Sequence, residues 1–138
     1  MSVPPLVMPS LKDVASHVLR WLVNLRRAGV ARQEASLQAV NKVVVLARKT
    51  AAYARGLADG HRHVDIEAEL AASWAELGFE LEGLGLQALA KKCDVTSRYW
   101  ANPSQFQPGF LDQADIRLDT VEREARALAV KVRSGRAP

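Results

Sequence analysis

The chain has a single cysteine, Cys93, so no disulfide can close within it, and one thiol fits a reducing compartment better than an oxidising one. No apolar run approaches the roughly 18–20 residues of a membrane span, so no membrane partner is expected. The first ten residues, MSVPPLVMPS, have neither the basic start nor the long apolar stretch of a secretory signal. Together these absences make the cytoplasm the expected location. There is no Ser-His-Asp arrangement, no glycine-rich phosphate loop and no CxxC pair, and no cofactor is implied. Internal repeats and low-complexity tracts are missing as well.

What is present is ordinary for a globular domain. The 138 residues are about one domain's worth, 49% apolar and 25% charged, which is enough to bury a core without staples. A net charge of +4 is mildly basic and only weakly points to an acidic partner.

The chain is organised around Ala35 to Asp59, which contains no proline and, at Gly56, a single glycine. Leu37, Val40, Val44, Ala47, Ala51, Ala54 and Ala58 are spaced alternately three and four apart. Val43, Leu46, Tyr53 and Leu57 widen that side to about half the circumference, more than the single stripe of a surface helix. The pattern predicts a central rod whose alanine seam admits a close neighbour.

Residues 1–9, with three prolines, predict an extended arm. Ser10 reads as an N-cap with Asp13 three residues on, opening a first helix over Leu11 to Ala28. Leu11, Val14, Val18, Leu22 and Leu25 form its stripe, and Arg26, Arg27 and Gly29 end it. Asp59-Gly60 breaks the second helix, and Asp65 is expected to cap the third. That helix, about Ile66 to Leu81, places Ile66, Leu70, Trp74, Leu77 and Leu81 on its apolar side and Glu67, Glu69, Glu76 and Glu80 on the other. After Gly83 and Gly85, the residues Leu86, Leu89, Ala90 and Cys93 predict a short fourth helix. Residues 94–110, rich in aromatics and proline, predict an irregular segment. A fifth helix is expected over Leu111 to Arg133, with a coiled-coil-like seam of Leu111, Ala114, Leu118, Val121, Ala125, Leu128 and Val132. No strand pattern competes. The expected architecture is an all-α, mostly antiparallel bundle of four long helices and a short one, over residues 10–133, followed by a frayed tail at 134–138.

Four constellations bear on function. His61, His63 and Asp65 alternate, and imidazoles with a carboxylate suit zinc or iron. This resembles the ligand set of β-lactamase-type metallo-hydrolases, but those need further ligands on a layered α/β scaffold, and the one other histidine is His17. A polar loop leading to a helix cap is the plainer reading, so no metal is expected. Arg55 and His61 satisfy R-x5-H, which resembles the signature of HEPN-type ribonucleases, metal-independent bundles that pair Arg and His across a dimer. In that family the motif begins a helix, whereas Gly56 and Asp59-Gly60 mark a helix end. Lys42, Arg48, Lys49, Arg55 and Arg62, with Arg20, Arg26 and Arg27, can form a basic face for phosphates, or pair with the glutamates of the third helix. Trp74, Tyr99 and Trp100 can form an aromatic platform, or close the end of the bundle. Cys93, on an apolar stripe, is expected to be inert.

Thr50, Tyr53, Leu57-x-Asp59-Gly60, Glu67, Leu70, Trp74, Leu89-Ala90-Lys91-Lys92-Cys93 and Ser97-x-Tyr99-Trp100-x-Asn102-Pro103 form a spaced set of anchors. This set resembles a group of small bacterial all-α proteins with no assigned biochemical role, over residues 37–106. Asn102 stands where the group tends to show Asp. The resemblance implies a helical bundle and a bacterial source, and no activity.

These readings converge on a non-enzymatic interaction or accessory module that binds another protein or itself, through the second or the fifth helix. The binding residues expected are Arg48, Lys49, Arg55, Arg62, Tyr99 and Trp100. A HEPN-like ribonuclease using Arg55 and His61 is the enzymatic alternative. A basic nucleic-acid-binding bundle is a second one.

Overall fold

A computed structural model describes residues 18–24, 29–114 and 116–136. The expected N-terminal arm, the Ser10–Asp13 cap, the first and last turns of the first helix, His17 and the final two residues lie outside these. Helix α1 covers residues 18–24, followed by α2 (Val30–Leu57), α3 (Val64–Gly83), α4 (Gln87–Ala101), a 3₁₀ turn (Pro103–Gln105), α5 (Phe110–Gln113) and α6 (Leu118–Arg136). No strand occurs among the described residues, and the fold is an all-α bundle.

Two glycines set the turns. At the end of α2, Gly60 adopts φ 80°, His61 N–H donates to Gly56 O at 3.0 Å, and Gly60 N–H donates to Leu57 O at 3.0 Å. Gly85 repeats the pattern after α3 with φ 82°, Leu86 N–H donating to Leu81 O and Gly85 N–H to Glu82 O. Both are Schellman caps, which favour glycine because a Cβ is disfavoured at that φ.

Helices α3 and α4 form the tightest pair. Gly78 faces α4 so closely that a Cβ there would stand 3.3 Å from Ala90 O and 3.4 Å from Cys93 Cβ. The second pair is α2 on α6; α2 touches α3 more lightly, and α6 grazes α4. One core runs through all four, including Val40, Val43, Leu70, Trp74, Leu81, Cys93, Trp100, Val121, Ala125 and Val132. Trp21 of α1 joins it, its Nε1–H donating to Leu84 O at 3.2 Å. A satellite cluster of Val95, Ala114 and Ile116 sits under α5.

Several expectations are corrected. The fourth helix is not short: α4 runs on to Ala101 and carries Tyr99 and Trp100, so the irregular segment begins at Asn102. The short helix is α5. The fifth helix is broken before Leu118, where Ile116 N–H turns back to Leu111 O at 3.0 Å and buries Ile116; the seam residues Leu111 and Ala114 therefore precede the break. The helix then persists through Arg136 rather than fraying at 134. Helix α3 starts one residue before Asp65, which lies in its first turn and not at the cap. The buried line of α2 is Ser36, Ala39, Val40, Val43, Leu46, Ala47 and Thr50, while Ala51 and Ala54 are half-buried and Ala58 is exposed. The alanine seam is thus one edge of the contact surface. Glu67, expected on the solvent side, is buried.

Candidate functional site

The polar side chains the sequence singled out converge where α2, α3 and α4 meet. On α2, Thr50 and Tyr53 are three residues apart and face α3. The Thr50 hydroxyl donates to Leu46 O at 2.7 Å, which leaves its lone pairs for the Trp74 Nε1–H at 3.0 Å. Trp74 is fully buried, and an indole N–H without an acceptor there would be costly.

One turn further on, the Tyr53 hydroxyl accepts the His63 backbone N–H at 2.9 Å and donates to Glu67 Oε2 at 2.7 Å. The other oxygen, Oε1, accepts from Arg62 at 3.2 Å. A carboxylate only 3% exposed needs such partners, and they come from both sides of the α2–α3 turn. Desolvation raises the Tyr53 hydroxyl above the ordinary tyrosine range, and the Glu67 carboxylate raises it further. The His63 N–H works in the opposite direction.

From α4, Trp100 meets Tyr53 edge-on at 5.7 Å, and Tyr99 meets Trp100 edge-on at 5.2 Å. Phe106 and Phe110 continue the row, with Tyr99 and Phe110 nearly parallel at 6.3 Å. Trp100 is buried and Tyr99 half-buried, so the row closes this end of the bundle and no flat aromatic face is left open. The anchors Thr50, Tyr53, Glu67, Trp74, Tyr99 and Trp100 are thus one connected structural set. No family model, curated protein or solved structure matches the chain.

The other candidate residues are dispersed. Arg55 and His61 are both exposed, one on the last turn of α2 and the other past its Schellman cap, and no hydrogen bond joins them within the chain. His61, His63 and Asp65 are exposed too. Among the described residues, no three His, Cys, Asp or Glu side chains group closely enough to hold a metal ion. Of the basic residues on α2 and its turn, Lys42 pairs with Glu80 at 3.1 Å, Arg48 with Glu122 at 2.6 Å and Arg62 with Glu67. Lys49 and Arg55 remain exposed without an ion-pair partner among the described residues. Cys93 is fully buried, and desolvation pushes its thiol up to about 12, with Asp94 adding to the rise. A neutral, covered thiol is a poor nucleophile.

Sequence reasoning missed two features. Lys92 is 1% exposed, and its ammonium donates to Glu124 Oε1 at 2.8 Å, tying α4 to α6. Its place between Ala90 and Cys93 on the buried stripe was the available signal. The second is a solvent-open groove of about 620 Å³ between α2 and α3. Leu46 and Leu77 floor it, Lys42 and Lys49 stand on the α2 rim, and Glu76 and Glu80 on the α3 rim. Val45, 67% exposed, stands on its α2 side.

Proposed function

We propose that the chain is a non-enzymatic binding module of a bacterial cytoplasmic system, acting through the α2–α3 groove, and that the occupant of this groove is a second copy of the chain. The bacterial setting rests on the spaced-anchor resemblance, and the cytoplasmic one on the single cysteine. Among the described residues, no helix is long and apolar enough to cross a membrane.

One observation carries the assignment: the groove has an apolar floor, an exposed Val45, a basic rim on α2 and an acidic rim on α3. A two-fold axis running along such a groove lays α2 of one copy over α3 of the other. Lys49 then faces Glu76 of the second copy, and Lys42 and Glu80, paired within each chain at 3.1 Å, meet their opposite numbers across the axis, so the patch complements itself, as an isologous interface requires. The groove extends over Gln38 to Lys49, about 16 Å of helix at 1.5 Å per residue, a modest footprint suited to a reversible dimer.

Most of the two seams first considered for self-association is used within the chain, because α2 packs on α6, Ala47, Val121, Ala125, Leu128 and Val132 are buried, and Ala51 and Ala54 are half-buried. The ribonuclease alternative has less support, since Arg55 and His61 are separated by a helix cap and share no hydrogen bond. The basic face on α2 is weakened in turn, because Lys42, Arg48 and Arg62 are already paired.

Sedimentation velocity over about 1 to 300 µM tests the proposal. The parent should shift toward a dimer as concentration rises, and Val45→Glu should stay monomeric with an unchanged melting temperature. A parent that remains monomeric throughout would reject it. RNA cleavage lost in both Arg55→Ala and His61→Ala would put the nuclease reading in its place.

A further inference from the structure

Beyond its first turn, where the exposed Asp119 pairs with Arg117 at 3.3 Å, the solvent face of α6 carries charge of one sign. From residue 120 to 134 its exposed residues are Arg123, Arg126, Ala127, Val130, Lys131, Arg133 and Ser134. The two acids in that stretch, Glu122 and Glu124, are partly buried and committed to Arg48 and Lys92. Folding therefore draws the carboxylates toward the body of the bundle and leaves a basic face. Among the described residues, none of Arg123, Arg126, Lys131 or Arg133 has an ion-pair partner.

The arrangement on the helix matters as much as the charge. At 100° per residue, Arg123, Ala127, Val130 and Ser134 form a centre line that is slim beyond Arg123. Arg126 and Arg133 flank it on one side and Lys131 on the other. From Arg123 to Arg133 is ten residues, about 15 Å along the axis. A helix is about 10–12 Å wide with its side chains, and the major groove of B-form DNA is about 12 Å wide. Such a helix can enter the groove while its flanking cations reach phosphates of both strands. An anionic lipid surface fits less well, because Val121, Ala125, Leu128 and Val132 are buried against the bundle and only Val130 is left to insert.

We propose that the exposed face of α6 binds the phosphate backbone of double-stranded DNA without reading its sequence. Four cations contacting four phosphates give a salt slope of about −3.6, so a rise from about 50 to 200 mM salt weakens binding about 150-fold. Nothing in the proposal depends on self-association through the α2–α3 groove.

Fluorescence anisotropy of a labelled 20-base-pair DNA duplex of arbitrary sequence provides the test. The parent should show the 150-fold loss over that salt range. Arg126→Gln/Arg133→Gln should show only about a 12-fold loss, because two contacts remain. Arg123→Gln/Lys131→Gln should behave likewise, and Lys91→Gln on α4 should match the parent. Circular dichroism verifies that each variant is folded, as expected for exposed positions. The proposal is overturned if the parent does not bind at 50 mM salt, or if both double variants keep the parent's slope. Tighter binding to an RNA duplex, a single DNA strand or phosphatidylserine vesicles would overturn it equally.

Discussion

Replacing Trp74 with alanine probes the side chain that joins α3 to α2 within the common core. The indole is fully buried within the common core, and its N–H is held by Thr50 of the neighbouring helix at 3.0 Å. Burying a tryptophan removes about 150–250 Å² from water, and truncating one typically costs about 3–5 kcal/mol once the residual cavity is included. For a chain of 138 residues each kcal/mol is about 3–5 °C of melting temperature, so Trp74→Ala should melt about 10–20 °C lower. Thr50→Val isolates the polar part, since shape is nearly kept while the indole N–H loses its acceptor. It should cost about 1–3 kcal/mol. In Trp74→Phe the N–H is gone already, so adding Thr50→Val should cost clearly less than it does in the parent. Thermal and urea unfolding followed by far-ultraviolet circular dichroism measure the parent and its four variants without relying on tryptophan fluorescence. A Trp74→Ala midpoint within about 2 °C of the parent, or strict additivity in the cycle, would refute this account of the core.

Lys92→Ala should destabilise by about 3 kcal/mol in urea unfolding and Lys92→Met by about 1 kcal/mol, because methionine refills the buried volume and Glu124 can reach water; equal losses would contradict this. Ser36→Ala should raise the urea midpoint, because the Ser36 hydroxyl is buried with no hydrogen-bond partner among the described residues and alanine is the better helix former. The Cys93 thiol titrates near 9 when unfolded and near 12 when folded, so the folded state holds the proton longer. Stability is therefore complete below about pH 9 and is lost as pH rises toward 12, with a loss on the order of 1 kcal/mol already at pH 10. Cys93→Ala should lack this component of the alkaline slope, and the native parent should resist a thiol-specific disulfide reagent.

The register of α3 was legible because Ile66, Leu70, Trp74, Leu77 and Leu81 leave only one way to turn the helix, and the two glycine-marked ends were legible because a Schellman cap has a local chemical signature. The register of α2 was not. Apolar residues cover half its circumference, so a face through the alanines and one through Ser36, Val43 and Thr50 fit the sequence equally well. Asp94 and Thr96 are weak helix formers and hid the continuation of α4 into Tyr99 and Trp100. The break before α6 was hidden for the opposite reason: Leu111, Ala114, Leu118 and Val121 keep the hydrophobic spacing in phase across it, and periodicity cannot see such a break. The burial of Glu67 depends on Tyr53, fourteen residues away, and on Arg62. The basic face of α6 emerges only when Glu122 and Glu124 are seen to be engaged elsewhere. Local patterns carry caps and registers, whereas pairings across the bundle become visible only in three dimensions.

The claim that the α2–α3 groove is a self-complementary interface is tested most directly by exchanging its charges. Lys42→Glu/Lys49→Glu makes both rims acidic, and Glu76→Lys/Glu80→Lys makes both basic. The lost Lys42–Glu80 pair is exposed and contributes little to folding, so both variants should keep the parent's stability. Each variant alone should sediment as a 15.1 kDa monomer, and an equimolar mixture should form a dimer of about 30 kDa. If the mixture stays monomeric while the parent dimerises, the dimer uses another surface and the groove assignment is wrong.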